Sequence, residues 1–175
     1  MPAIDIMIDV ECLSLDPNAH LLSIGAAKFD RYTGEIKKEF YVVVDQKAVN
    51  GTIDAATISW WMKQDARARS AIWDMDPEHA VSLTKALHRL SVFVYAPIDP
   101  VIWARGPMDY VWLETAYKRE GMKPVWKHSQ WHDQRTLCNV MGGNPKRDRP
   151  VLHHALGDCR DQIQDLVAAF KRIGA

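Results

Sequence analysis

The stretch AIDIMIDVE, from Ala3 to Glu11, decides the fold of this chain. Apolar and polar residues alternate at its start and isoleucine is frequent, which is typical of a half-buried β-strand. Asp9 and Glu11 lie two residues apart, and side chains of a strand point alternately to its two faces. The stretch therefore predicts a strand whose carboxyl end carries two acids on one face.

Two further strands follow the first one along the chain. LLSIGAAKFD (Leu21 to Asp30) and EIKKEFYVVVD (Glu35 to Asp45) are joined by the turn-like residues Arg31 to Gly34. A short polar connection between two strand patterns indicates a hairpin. The first three strands are therefore predicted to form an antiparallel meander.

The periodicity then changes to that of helices and of strand–helix units. Apolar residues recur every three or four positions in Thr57 to Ala68 and in Pro77 to Val94, with Thr57 and Asp76 as N-caps. The remaining predicted elements are a strand at Val101 to Ala104, a helix at Asp109 to Arg119 that stops at Gly121, a strand at Gln130 to Asp133, a short helix at Arg135 to Met141 and a long amphipathic helix at His154 to Ile173. This order predicts an α/β fold with a mixed sheet, in which the antiparallel meander is extended by parallel strands and flanked by helices.

Length and composition indicate one soluble domain. The 175 residues are 47% hydrophobic, enough for a single core, so we expect one domain over residues 1–175. The 22 basic and 22 acidic residues cancel, so a nucleic-acid partner would need a local binding site. Cys12, Cys138 and Cys159 form no CxxC pair, which indicates reduced thiols. Because neither a signal peptide nor a membrane span is apparent, we expect a cytoplasmic protein.

Acidic residues from three distant stretches are candidates for one metal site. Asp109 opens a helix that follows a buried strand, and His153 and Asp158 bracket the start of the terminal helix in HHALGD. Together with Asp9 and Glu11 they would form a cluster of carboxylates. Such a cluster repels itself unless cations offset its charge, and hard divalent cations prefer oxygen ligands. Two such ions can promote hydrolysis of a phosphodiester.

The three motifs, in this order, resemble those of the DEDDh 3′–5′ exonucleases, which have an RNase H-like fold. The motifs are Asp9-Val-Glu11, Asp109 in WARGPMDYVWL, and His153 to Asp158. The segment TISWWMKQ, Thr57 to Gln64, is similar to the small exoribonuclease-like branch that also resembles phage exonuclease A. The resemblance extends from about Ile4 to Phe170 and is far more specific than any one motif.

The resemblance implies a site and a reaction. Asp9, Glu11, Asp109 and Asp158 would hold two Mg²⁺ or Mn²⁺ ions, and His153 would act as general base. An imidazole suits that role because its ordinary pKa of ~6.5 leaves it largely neutral at cellular pH. The substrate would be the 3′ end of single-stranded RNA or DNA, cut to nucleoside 5′-monophosphates. The loop of residues 142–149, rich in glycine, proline and charge, predicts that His153 is mobile without substrate.

Further residues are candidates for substrate contact. Cys12 and Leu13 stand where many relatives have threonine and glycine after the acid pair. Trp60 and Gln64 share a helical face at i and i+4, so a base could stack on the indole and bond to the amide. The other interpretation of Trp60 and Trp61 is that they are core aromatics, and we expect at least one to be buried.

Several alternatives stay open. A DNA exonuclease would use the same acids, and a noncatalytic nucleic-acid-binding module could keep the same fold. The basic run Lys146 to Arg149 could steer phosphates, although such loops are usually solvated. His128 and His132 show no recognised zinc spacing. The seven tryptophans could form an apolar interface, which favours a homodimer.

Overall fold

A computed structural model describes residues 4–74, 79–96, 99–143 and 153–174. These residues form a five-stranded sheet in the order β3-β2-β1-β4-β5. The strands are β1 (Asp5–Cys12), β2 (Leu21–Phe29), β3 (Ile36–Val43), β4 (Val101–Ala104) and β5 (Trp131–Asp133). β1 to β3 pair antiparallel, whereas β4 pairs parallel to both β1 and β5. The predicted mixed sheet, a meander extended by parallel strands, is confirmed.

Helices cover both faces of this sheet. The six in the described part of the chain are α1 (Ala55–Trp61), α2 (Ala66–Trp73), α3 (Leu83–Val94), α4 (Met108–Arg119), α5 (Gln134–Val140) and α6 (Ala155–Ile173). None of them combines the length and the apolar character that a bilayer span requires.

The alternation of β1 separates the two larger of three hydrophobic cores among the described residues. Ile6, Ile8 and Val10 point into the larger core, together with residues of α3 and α4. Met7 points to the opposite face and packs with residues of α6. By the same alternation Asp9 and Glu11 belong to the α6 face. The acid pair therefore lies under the terminal helix.

A third acid of this face, Asp5, shows how the fold neutralises a buried carboxylate. Asp5 is only 2% exposed and forms a bidentate ion pair with Arg31, at 2.6 and 2.8 Å. The indole N–H of Trp103 also donates to Asp5, at 2.8 Å. A buried charge that is both paired and hydrogen-bonded is tolerated in a protein interior.

Gly25 allows the terminal helix to approach the sheet. Gly25 is the β2 residue paired with Asp9. A Cβ atom built on Gly25 would lie 2.4 Å from the carbonyl carbon of Ala155, the first residue of α6. Only glycine permits this contact, which brings the start of α6 over the acid-bearing end of β1.

The predicted helix over Thr57 to Ala68 is wrong, because two separate helices cover this region. Asp54, not Thr57, is the N-cap of α1, and its carboxylate accepts a hydrogen bond from the Thr57 N–H at 3.1 Å. Asp65 caps a new helix by accepting from the Arg67 N–H at 2.8 Å. An acidic side chain that bonds to nearby backbone N–H groups favours a helix start over a helix interior.

Other predicted boundaries also need correction. The helix expected from Pro77 begins at Leu83, because the Ser82 hydroxyl caps it by accepting from the Lys85 N–H. The expected cap Asp76 lies outside the described residues. Gln130 is not in the last strand: it belongs to the 3₁₀ turn His128–Gln130, and its side chain accepts from the Lys127 N–H at 2.6 Å.

Candidate active site

The acids named by the sequence line one cleft at the carboxyl end of β1. The cleft has a volume of about 620 Å³. Its lining includes Asp9, Glu11, Asp109, His153 and Asp158. Three segments that are far apart in the chain therefore meet, through the close packing of β1, α4 and α6.

Asp109 is held firmly against β1. It lies in the first turn of α4, is 7% exposed, and its Oδ1 accepts a hydrogen bond from the Val10 N–H at 2.9 Å. Burial raises the pKa of Asp109 from 3.8 to about 7, although the backbone N–H groups of Val10 and of Asp109 itself oppose this shift. Removing water from a carboxylate disfavours its charged form.

Asp9 and Glu11 are perturbed in the same direction. Burial raises the pKa of Asp9 well above its ordinary value, and the neighbouring charges of Asp109, Glu11 and Asp158 raise it further. Gln162 opposes this shift, because its side-chain N–H donates to Asp9 Oδ1 at 2.7 Å. The pKa of Glu11 is also raised well above its usual range, first by burial and then by Asp158 and Asp109.

This donor set fits a divalent cation. In the described part of the chain, one group of His, Cys and carboxylate side chains could hold a metal ion, namely Glu11, His153 and Asp158, whose ligand atoms lie within 4.8 Å of one another. Asp9 and Asp109 line the same cleft. Whereas Asp5 has Arg31 as its counter-ion, neither Asp9 nor Glu11 forms an ion pair with a described residue. Cations would offset the clustered negative charge and lower the raised pKa values.

His153 adopts an unusual conformation beside the acids. Its φ angle is +61°, a region that residues other than glycine rarely adopt. The backbone N–H of His153 donates to Asp158 Oδ2 at 2.9 Å. Its ring lies edge-on to the Trp60 indole, with 4.5 Å between ring centroids. Burial lowers the pKa of His153 below 6.5, against the opposing charge of Asp158. The imidazole is therefore neutral at neutral pH.

A second, mostly apolar cavity of about 360 Å³ adjoins the acidic cleft. Both are lined by Val10, Glu11 and Trp112. Cys12, Trp60 and Trp61 also line the second cavity. Trp60 is 41% exposed and offers an accessible ring, whereas Trp61 is 2% exposed. The expectation that at least one of these tryptophans is buried is confirmed.

The remaining residues predicted to contact substrate have different structural roles. The Trp61 indole N–H donates to the Cys12 carbonyl at 2.9 Å, so Trp61 braces the end of β1. Leu13 is buried in the small core around Trp61, and its side chain lines neither cavity. The predicted pairing of Trp60 and Gln64 on one helical face is wrong, because α1 ends at Trp61. The Gln64 amide donates instead to the Trp60 carbonyl, at 2.9 Å.

The cleft lining also includes side chains that were not predicted as site residues from the sequence, among them Arg105, Trp112 and Gln162. Arg135, which the sequence offered only as a weak candidate for substrate contact at the end of the last strand, lines the cleft as well. Gln162 lies four residues after Asp158 and Trp112 three after Asp109, spacings that place each pair on one helical face. Helical spacing was therefore a usable signal for Trp112 and Gln162. The basic run 146–149 and most of the predicted mobile loop lie outside the described residues.

Comparison with known proteins identifies the family. The family model of the 3'-5' exoribonuclease Rv2179c-like domain matches residues 4–170. The chain belongs to this family. Membership in the exoribonuclease family makes the chain a hydrolytic 3′–5′ exonuclease. No curated protein sequence matches it significantly.

Solved structures share the fold of this chain at low sequence identity. The nuclease domain of 3'hExo, a DEDDh family member bound to rAMP, is 13% identical with a TM-score of 0.62, over 96% of this chain and 92% of that one. E. coli exonuclease I in complex with a dT13 oligonucleotide is 10% identical with a TM-score of 0.73, over 99% of this chain and 42% of that one. The predicted resemblance to DEDDh exonucleases is thereby confirmed, whereas the roles of individual site residues stay predictions.

Proposed function

We propose that this chain acts as a single exonuclease domain that removes nucleotides from the 3′ end of single-stranded RNA and releases nucleoside 5′-monophosphates. The observation that carries the proposal is the cleft in which Asp9, Glu11, Asp109 and Asp158 lie beside His153. RNA is the proposed substrate because the matching family is one of exoribonucleases. Single-stranded DNA is the alternative that the experiment below tests.

The four carboxylates are the proposed ligands of two Mg²⁺ or Mn²⁺ ions. The raised pKa values of three of them and the absence of a counter-ion for Asp9 and Glu11 within the described residues support this assignment. When bound, such ions supply Lewis-acid stabilisation of the negative charge that develops on the phosphate oxygens. Gln162 keeps the Asp9 carboxylate in place, and the Val10 N–H does the same for Asp109.

His153 is the proposed general base. Because its lowered pKa leaves the ring neutral at neutral pH, it can take a proton from the attacking water. The backbone bond to Asp158 and the contact with Trp60 hold the ring at the cleft. An imidazolium formed there would be stabilised by the Asp158 charge, which already opposes the fall in pKa.

The apolar cavity is the proposed site of the 3′-terminal nucleoside. Trp60 is the accessible aromatic ring among the predicted substrate residues, and a stacked base gains ~1–3 kcal/mol irrespective of its identity. Cys12 and Trp61 also line this cavity, whereas Leu13 and Gln64 act only by supporting the residues beside it.

The test is digestion of 5′-labelled RNA and DNA of one sequence with Mg²⁺ or Mn²⁺. We expect a ladder that shortens from the 3′ end and releases mononucleotides, faster for RNA. EDTA or the substitution Asp158→Asn should abolish it. Asp99→Asn, which alters an exposed acid paired with Lys127, serves as the control. Absence of mononucleotides from both substrates would refute the proposal, and metal-independent binding without cleavage would indicate a noncatalytic module.

The oligomeric state and the cellular location stay predictions. Light scattering of the purified protein will measure whether it is a homodimer. Fractionation of the producing cells will test the cytoplasmic location.

A further inference from the structure

Two arginines lie in the wall of the acidic cleft. Arg105 directly follows β4, and Arg135 lies in the first turn of α5, which follows β5. Both line the same cleft as the carboxylates. Because β4 and β5 are parallel neighbours, their carboxyl ends place these two side chains together.

Contacts among the described residues leave much of both guanidinium groups available. The Arg135 side chain donates one hydrogen bond, to the Arg105 carbonyl at 3.1 Å. The Nε atom of Arg105 is buried and has no hydrogen-bond partner among the described residues. A buried donor without a protein partner is available to bind an acceptor that enters the cleft, and such groups are costly to leave unsatisfied.

Neither arginine forms an ion pair with a carboxylate of the described chain. This is notable because four acids line the same cleft and Arg135 is near enough to lower the pKa of Asp109. The cleft thus has an acidic part, suited to cations, and a basic part without a counter-ion among the described residues. Guanidinium groups bind phosphate through paired, charge-assisted hydrogen bonds.

Gly106 lies beside the Arg135 guanidinium at the end of β4. Gly106 has a φ angle of +110°, and the Arg135 guanidinium lies 3.9 Å from the position that a Gly106 Cβ would take. The guanidinium therefore packs over the glycine at the β4 end. No side chain at position 106 separates it from the cleft.

We propose that Arg105 and Arg135 bind the penultimate phosphate of the substrate strand, one linkage to the 5′ side of the bond that is cut. The inference rests on the proposed function. In a strand that ends in a 3′ hydroxyl, the scissile phosphate is the last one and lies against the carboxylate cluster. A second phosphate in the same cleft is therefore the next one towards the 5′ end. The arginine pair thus sets the register of the strand.

The test combines a change in the substrate with a change in the enzyme. Two oligonucleotides of the better-digested type are compared, one unmodified and one with a neutral methylphosphonate at the penultimate linkage. For the unaltered protein, we expect the kcat/KM for release of the first nucleotide to fall about ten- to hundredfold with the neutral linkage. This is the effect of losing the charge-assisted hydrogen bonds between the arginines and the phosphate. The double variant R105Q/R135Q should have a low kcat/KM on both oligonucleotides. The neutral linkage should lower that value by less than about threefold, because the charge-assisted bonds of the arginines are already absent.

Matched variants separate phosphate binding from other effects. Arg89→Gln removes one positive charge from α3, outside the cleft, and should retain the full sensitivity to the methylphosphonate. R105K/R135K should recover part of the lost activity and sensitivity, because the charge is kept without the guanidinium fork.

Three results would overturn the inference. The unaltered protein could digest both oligonucleotides equally well, which would leave the exonuclease activity established and the phosphate site refuted. The double variant could remain as sensitive as the unaltered protein, which would show that the arginines only offset the charge of the carboxylates. Absence of any nucleotide release by the unaltered protein would refute the proposed function and this site with it. The comparison of the two oligonucleotides uses only the unaltered protein, so it is valid even if a variant fails to fold.

Discussion

Replacing Asp109 by asparagine should stabilise the metal-free protein and inactivate the enzyme. Asparagine keeps an oxygen that can accept the Val10 N–H, as Asp109 Oδ1 does at 2.9 Å, and its size is nearly the same. It removes only the charge that burial disfavours. The substitution therefore isolates the free energy of keeping an ionised carboxylate in this cleft.

The magnitude follows from the pKa of Asp109, raised from 3.8 to about 7. A raised pKa in the folded state means that the contribution to stability is fully present below about pH 4 and is lost as the pH rises through 7. The ionised group then lowers the free energy of unfolding by about 4 kcal/mol at pH 8 and by about 2 kcal/mol at pH 5. Asp109→Asn should recover these amounts, which correspond at pH 8 to a rise in Tm of roughly 8–16 °C.

The assay is thermal unfolding in EDTA at pH 5 and pH 8, followed by circular dichroism. Asp99→Asn is the matched control, because it removes an exposed charge whose ion pair with Lys127 contributes little. The reasoning is refuted if Asp109→Asn lowers Tm at pH 8 without metal, or if its gain is equal at both pH values. Nuclease activity of the same variant with Mn²⁺ should be lost.

Other perturbations test how the cleft is built. Saturating Mn²⁺ should raise the Tm of the unaltered protein more at pH 8 than at pH 5, because protons compete for the carboxylates; an equal rise would contradict the metal assignment. Gly25→Ala should lower the free energy of unfolding by about 1–3 kcal/mol, since its Cβ meets α6 backbone at 2.4 Å, and should slow turnover. Unchanged denaturant unfolding would show that α6 can move aside freely. Trp61→Ala should destabilise the protein by about 3–5 kcal/mol, measured in the same way, because its side chain is 2% exposed; a change below about 1 kcal/mol would count against its bracing role. Trp60→Ala should raise KM while leaving Tm nearly unchanged, and a fall in Tm like that of Trp61→Ala would make it a core residue instead.

Local patterns were enough to predict much of the fold and the acids of the site. The alternation in β1 placed Asp9 and Glu11 on one face, and the order of the strands indicated a mixed sheet. Predictions failed where one side chain redirects the backbone. Asp65 begins a second helix within a continuous helical pattern, because its carboxylate bonds to the Arg67 N–H. Whether Asp65 lies inside one helix or caps a second helix depends on the hydrogen bond that its carboxylate forms. The spacing of apolar residues does not predict that bond.

By itself, the sequence determined the succession of strands along the chain, the acid pair at the end of β1 and the family motifs, because these depend on neighbouring residues and on spacing along the chain. Only the tertiary structure decided that Trp61 is buried while Trp60 is accessible, and that Arg105 and Arg135 share the cleft without a carboxylate partner among the described residues. It also decided how strongly the acid pKa values are raised. The reason is that burial and electrostatic proximity arise when α6 packs against β2 at Gly25, beside the acid-bearing end of β1, a contact between segments about 130 residues apart.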